Sequence, residues 1–355
     1  MATGPREIPL TLNPTSRQDL IDVQARLAEE HGDVLASRRR ALYCSHHTTA
    51  GFVEKSLSAR LSHRADRLSH FLGAFRELFP PEGDYRHDRM CLRAELTEEE
   101  KEVEPRNADS HLTFIGAGLR NCVTYPTRPK RPVYFIDLDG VNEGTARVRR
   151  ATVTAYDHEQ VVHRETVLVP VSKHPIDSVN LADPRLGLLQ KVADLSAREG
   201  LGHGRVDLDL AGPETSAGLT VNEYETMLMK HDLAEVLKDP LKFAAQRGRH
   251  LLADPRAIPT KTLDYAKYDF VQVLNSLMEA FGVDESVVEK LLARLMALPA
   301  RRFLAMKRRV SFPLSAGEGA RPRVVRGRYQ SPILVQWGRA EARTRRIEVS
   351  LVRFR

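Results

Sequence analysis

The feature that most constrains this chain is an echo within it. HHTTAGF at 46–52 returns as PETSAGL at 213–219, and Thr48–Gly51 falls on Thr215–Gly218 at an offset of 167 residues. The flanks follow at the same offset. Each motif is preceded by a helical pattern and a strand (23–45 and 191–212) and followed by a helix (56–75 and 223–243). A second echo pairs 131–156 with 331–354 and sets Arg147 on Arg343 at an offset of 196. Self-similarity of this kind means that one supersecondary unit is used twice.

The two offsets differ by 29 residues, so the second half carries an insertion at about 245–300. Val287, Val288, Leu291, Leu292, Leu295 and Met296 repeat there at the spacing of one helix face. Each half then reads as strand, helix, strand, T-[TS]-A-G turn, helix, a variable middle and two closing strands. The opening strands are Ile8–Leu12 and Thr166–Val171, and the join is a short polar stretch at 157–165. This order predicts an α+β fold of two units, 1–160 and 161–355. Each is a mainly antiparallel β-sandwich with packed helices. An acidic run, Glu95–Glu104, reads as an exposed loop or helix end.

Charge is unevenly spread. Net charge is +7, yet residues 301–355 hold 15 Lys and Arg against 3 Asp and Glu. A basic end can meet phosphate or nucleic acid. Since it coincides with the closing strand pair, it reads instead as an Arg-decorated sheet, and aromatic content of 6% with one Trp argues against a nucleic-acid stacking platform. Three Cys without a CxxC pair do not suggest a disulfide framework. No apolar run is long enough to span a bilayer, and no leader or lipidation signal is read at the N-terminus. A cytoplasmic address is expected.

The first half gathers histidines on chemically suggestive carriers. His46–His47 end a strand just before the Thr-Thr-Ala-Gly turn. His87 sits in the loop GDYRHD, and His111 lies in RNADSHL, where Asn107 or Asp109 suits a helix cap. Three neutral imidazoles suit catalytic zinc, which keeps a fourth position open. These three are dispersed, at 40- and 24-residue separations, with no local ligand spacing.

CSHHTTAGF, a Tyr-x-His loop and N-A-D-x-H-L together resemble the YjbQ-like family, whose members are assigned as secondary thiamine-phosphate synthases. The second half resembles it through TSAGLTVNE at 215–223, but has Glu214 where the family has His. The first half has Lys55 and Ser56 where the family has Asn-Glu. The resemblance implies a compact α+β unit, trimeric assembly and a histidine pocket for a metal or an anion near a subunit boundary. It implies His47, His87 and His111 as ligands of a divalent metal, most simply Zn, with Asn107 and Asp109 beside them.

The complementary losses suggest one composite site, with histidines from the first half and Asn222 and Glu223 from the second. Glu223 would act as general base or orienter, and Asn222 would hold it or donate to an oxyanion. Thr48, Thr49, Thr215 and Ser216 would line the pocket, with Arg147 and Arg149 as a phosphate clamp. The expectation is a metal-dependent transferase or hydrolase acting on a small phosphorylated metabolite. The alternative is a non-catalytic module that binds nucleic acid or protein through the basic end.

Overall fold

The computed structural model describes all residues except 1–3, 82, 129–130, 143, 239–305, 317–320 and 341. The helical insertion expected at about 245–300 therefore lies outside the described residues. In the first half the elements are β1 (Arg6–Leu12), β2 (Asp19–Asp22), α1 (Val23–His31), β3 (Arg40–Ser45), β4 (Ala50–Gly51), α2 (Lys55–Arg60), α3 (Ala65–Leu78), α4 (Glu98–Val103), α5 (Ala108–Gly116), β5 (Cys122–Pro126), β6 (Tyr134–Asp137), β7 (Val141–Asn142), β8 (Thr145–Ala146) and β9 (Arg149–Tyr156). The second half supplies β10 (Glu159–Pro170), β11 (Ile176–Asn180), α6 (Leu188–Arg198), β12 (His203–Leu210), β13 (Ala217–Asn222), α7 (Leu233–Lys238), β14 (Arg309–Ser315), β15 (Arg323–Val324), β16 (Ser331–Trp337) and β17 (Thr344–Phe354).

The two halves build the same pair of sheets. The first half orders one sheet β1-β9-β3-β5 and another β2-β6-β4; the second orders them β10-β17-β12-β14, with β15 on the edge, and β11-β16-β13. All these pairings are antiparallel. Register matches too: Ala50 faces Asp137 as Ala217 faces Gln336, and Leu12 faces Arg149 as Val169 faces Arg345.

Alternation explains how each sheet closes a core. Ile8, Leu10 and Leu12 on β1 join Ala41 and Tyr43 on β3, Phe135 on β6 and Val23 and Leu27 on α1. Val206, Leu208, Val349, Leu351, Leu219 and Leu334 do the same in the second half, against Leu188 and Val192 of α6. The opposite face of β3 carries Leu42 and Cys44, which pack with Tyr156, Val352 and Phe354. Period two thus gives one strand two apolar faces, one for its own half and one for its partner. The Tyr156 and Phe354 rings stack at 4.0 Å, a contact worth ~1 kcal/mol beyond its buried area.

The chain folds as two compact units that draw on both halves. The first comprises residues 1–55, 119–224 and 306–355, and holds every sheet among the described residues; the second comprises 56–118 and 225–305. In the second unit α3 packs against α5, burying Leu68, Phe71, Leu72 and Phe75 on the one and Leu112, Phe114 and Ile115 on the other.

Four local expectations need revision. The helix expected over 56–75 breaks between α2 and α3, where Ser62 and His63 adopt left-handed φ of 55° and 56° and His63 Nδ1 meets Ser58 Oγ at 2.7 Å. The polar join is shorter than 157–165, because β10 begins at Glu159. The acidic run folds partly as α4, where Thr97 and Glu100 form a reciprocal capping box. Asn107 occupies the N-cap position of α5, but no side-chain cap bond is made there; Asp88 Oδ1 accepts the Ala108 N–H instead, at 3.0 Å. The basic end is the expected sheet: Arg309 pairs with Asp209, and Arg345 with Glu214.

Candidate functional site

In the first unit the strand β3 ends in a turn that is held from several sides. Ser45 Oγ donates to the Ala50 carbonyl at 2.7 Å and accepts the His47 N–H at 3.3 Å. The carbonyls of residues 45, 47 and 48 all take side-chain amides from the second half. Gln330 Nε2 donates to Ser45 at 3.0 Å and to His47 at 2.8 Å, and Asn222 Nδ2 donates to Thr48 at 3.2 Å. Gly327 lies so close to the His46 carbonyl that a Cβ would overlap it. The residues that precede the Thr-Thr-Ala-Gly motif are thus shaped by a loop 280 residues downstream.

His47 is half-buried among arginines. Its Nε2 accepts the Arg150 N–H at 2.7 Å, and its Nδ1 lies 3.5 Å from Arg149 Nη1. Burial first, then the charges of Arg149, His46, Arg147 and Arg150, lower its pKa to about 3. His46 is lowered by burial and by Arg150, and its Nε2 meets Thr152 Oγ1 at 2.8 Å. Both imidazoles are neutral at neutral pH.

Arg149 itself is buried and bidentate on Asp137, with Nε–Oδ2 2.6 Å and Nη2–Oδ1 2.8 Å; Nη2 also donates to the Asp139 carbonyl at 2.7 Å. Arg147 reaches Asp139 Oδ2 at 3.0 Å. Thr49, buried, lies 3.4 Å from Arg149 through its hydroxyl.

The second half repeats this arrangement with the charges moved. Glu214 stands where His47 does: its Oε1 accepts the Arg346 N–H at 3.0 Å and its Oε2 meets Arg345 Nη1 at 2.7 Å. Arg345 Nη2 donates to the Gly338 carbonyl, as Arg149 does to that of Asp139. Gln336 replaces Asp137, and Gly338 replaces Asp139. A buried guanidinium needs one carboxylate; the first half supplies it from β6 and the second from the turn. Ser216 accepts the Trp337 N–H at 3.0 Å as Thr49 accepts that of Leu138 at 3.1 Å, and Thr215 lies beside it in the turn.

The second unit brings His87, His111, Asn107 and Asp109 into one buried group. His87 Nδ1 meets Glu225 Oε2 at 2.9 Å, Nε2 lies 3.4 Å from Asn107 Oδ1, and the His87 and His111 rings meet edge to face at 5.3 Å. Burial lowers the His87 pKa, but the Glu225 bond and the nearby Asp88 outweigh it, so the net shift is upward. With an oxygen facing each nitrogen, both ring N–H groups donate and the imidazolium is the fitting form. Glu225 is lowered, its burial outweighed by His87 and by the N–H groups of Met227 and Leu228. Burial pushes Asp88 up to about 6. Asp232 accepts the N–H groups of Arg86 and His87 at 3.0 Å each, and Arg93, 2% exposed, joins Glu95 and Glu104.

The expected histidine ligands are engaged as follows. His47 has an N–H donor on one ring nitrogen and a guanidinium at the other, and His87 has Glu225 and Asn107. Among the described residues, no three His, Cys, Asp or Glu side chains form a metal-holding group. His47 belongs to the first unit, and His87 and His111 to the second. The carboxylate that reaches an expected histidine is Glu225, two residues beyond Glu223, and Asn222 holds the Thr48 carbonyl while its Oδ1 accepts the Glu223 N–H at 2.8 Å. Glu225 could be sought in the sequence as an acidic residue capping Met227 and Leu228. Gln330 carries no motif at all.

The chain has YjbQ-like structural neighbours. One is a protein of unknown function from Sulfolobus solfataricus P2 described as YbjQ-like, with 17% identity and a TM-score of 0.28 over 55% of this chain and 99% of that one. Another, from Clostridium acetobutylicum, is described as an uncharacterized conserved protein of the YjbQ/UPF0047 family, with 18% identity and a TM-score of 0.28 over 41% of this chain and 97% of that one. A hypothetical protein from Aeropyrum pernix K1 aligns at 16% identity and a TM-score of 0.28 over 54% of this chain and 98% of that one. No family model matches the chain, and no curated protein matches it. No helix among the described residues is long and apolar enough to cross a membrane.

Proposed function

We propose that this chain is an enzyme of small phosphorylated metabolites, a transferase or hydrolase, working at the His46–Thr49 turn of the first unit. The observation that carries this reading is His47, held neutral by burial and by Arg149, Arg147 and Arg150. Arg149 is spent on Asp137 and Arg147 is shared with Asp139, while Arg150 is exposed. A phosphate dianion docking there offsets the arginine field. The same anion raises the His47 pKa toward the range in which an imidazole exchanges protons at neutral pH. Asn222 and Gln330 are positioning residues: they fix the turn's carbonyls and so aim His47. No step is assigned to a metal.

The test is turnover of a panel of phosphorylated metabolites by the full chain, His47→Gln and Arg150→Ala. Each substitution should lower kcat/KM about tenfold or more, the scale of one general acid–base group or one charge-assisted bond. Turnover that both variants retain in full would put the site elsewhere. Failure of the wild-type chain to turn over any phosphate ester would remove the reading.

A further inference from the structure

The two halves also differ at a second place, well apart in sequence from the His46–Thr49 turn. In the first half Arg147 is matched by Asp139 at 3.0 Å. The corresponding pair in the second half is Arg343 and Gly338, so the cation is kept and its carboxylate is lost. Arg343 is exposed and adopts a left-handed φ of 53°, a conformation that a non-glycine residue takes only at a cost. Its N–H donates to the Ala340 carbonyl at 3.2 Å and its own carbonyl accepts the Val171 N–H at 2.9 Å, which holds it in that form.

Around it lies a cleft of about 410 Å³ lined by Lys173, His174, Pro175, Arg339, Ala340 and Arg343. Every titratable residue on that lining is basic. Among the described residues no carboxylate pairs with Lys173, Arg339 or Arg343. Counting Glu341 of the same sequence stretch by its charge alone, the three cations still leave an excess of two. The backbone that carries two of these residues is held from within: Gln336, buried, donates to the carbonyls of Ser172 at 3.3 Å and His174 at 2.6 Å, tying Lys173 and His174 to β16. Like charges held together without counterions repel, and an anion between them relieves that repulsion. A cleft of this size admits a phosphate group with a small carrier attached.

We propose that this cleft is an anion site for the phosphate group of a small metabolite, separate from the His46–Thr49 turn. Arg339 and Arg343 grip the phosphate oxygens, and Lys173 adds a point charge. Loss of the carboxylate at the Asp139-equivalent position is what converts a closed ion pair into an open receptor.

The chain's one Trp, Trp337, stands two residues before Arg339 and serves as a secondary probe beside calorimetry. Inorganic phosphate and ribose 5-phosphate would each be titrated into the full chain by calorimetry at constant ionic strength, with Trp337 emission followed in parallel. Saturable binding is expected, with tighter binding of the ester if a carrier is accommodated and equal binding if the cleft reads phosphate alone. Arg339→Ala/Arg343→Ala should weaken this binding by about tenfold or more, the scale of lost charge-assisted bonds. Ala340→Glu should do so with all cations kept, which separates lost charge from lost fold. His47→Gln should leave it unchanged, so failure here and failure of the proposed enzyme reading are told apart. Absence of binding to the wild-type chain, or binding undiminished in both cleft variants, overturns the proposal.

Discussion

Glu214 meets Arg345 at 2.7 Å in the second half, in the position where His47 lies 3.5 Å from Arg149 in the first. The buried arginine is common to both halves, and only the source of its counter-charge differs. Arg345 and Glu214 side chains are 5% and 12% exposed, so removing the carboxylate strands a cation out of water. Glu214→Ala should lower stability by about 3 kcal/mol or more, the cost of breaking a buried pair from one side. The double exchange Glu214→His with Gln336→Asp rebuilds the first half's arrangement and should recover part of that loss, short of all of it because Gln336 also holds Ser172 and His174. Urea unfolding of the wild-type chain and the two variants checks both statements.

His87 and Glu225 make the second unit pH-sensitive, and the direction follows from their shifts. The His87 pKa is raised from 6.5, so its contribution is complete below about pH 6.5 and is lost as pH climbs through the folded value. Asp88, raised from 3.8 to about 6, favours the folded state as a neutral acid and withdraws that support earlier, as pH rises from about 3.8 to about 6. Glu225, lowered from 4.5, contributes above about pH 4.5 and ceases to as pH falls through its folded value. Hydrogen-exchange protection in α3 and α5 should therefore be highest near about pH 4 and decline in two stages toward pH 8, through Asp88 first and His87 second. Glu225→Gln should flatten the decline above pH 6.5; an unchanged slope would remove His87 from the account.

Much of the frame was legible because periodicity and repetition are local properties. Ile8, Leu10 and Leu12 alternate, the two T-[TS]-A-G motifs sit at one offset, and the same strand order appears twice. The departures come from long-range pairing. Ser62 and His63 break a helix whose apolar spacing is unbroken, because left-handed backbone leaves no trace in hydrophobic pattern. Glu223 was the residue that motif matching favoured, yet Glu225 reaches His87, since a two-residue step near a helix start turns a side chain to another face. Asp137 and Arg149 are 12 residues apart and make a buried bidentate pair without any motif to announce it. The histidines read as ligands by type; the partners of His47 and His87, namely Arg149, the Arg150 N–H, Glu225 and Asn107, are set by folding and leave no mark in the sequence.

Asn222 and Gln330 fix the His46–Thr49 turn through three backbone carbonyls. Asn222→Ala and Gln330→Ala should each cost about 1–3 kcal/mol, because they strand buried acceptors. On the proposed function, their signature is a fall in kcat at little changed KM for a phosphate ester, since they aim His47 without touching the ligand. Gly327→Ala should act in the same direction by pushing the His46 carbonyl aside, while Gly212→Ala, where a Cβ meets nothing within 4 Å, should be silent.

The three cysteines should separate cleanly by reactivity. Cys91 is exposed, whereas Cys44 and Cys122 are buried on neighbouring strands with their sulfurs 2.9 Å apart. Burial, and then the adjacent Cys122 thiol, push the Cys44 pKa well up, and the thiolate is the species that alkylates. Native chain treated with iodoacetamide at neutral pH should take one label rapidly, at Cys91, and three after unfolding in urea. The two slow sites should open together, because Cys44 and Cys122 share the apolar cluster of Leu42, Tyr156, Val352 and Phe354 that joins the halves. Phe354→Ala removes the ring stacked on Tyr156 and should raise the rate at both buried sites in parallel, by an equal factor if opening of that cluster is what admits the reagent. Mass spectrometry of the labelled peptides reads each rate separately. Rapid native labelling of Cys44 or Cys122 would contradict the packing between β3, β5 and β17.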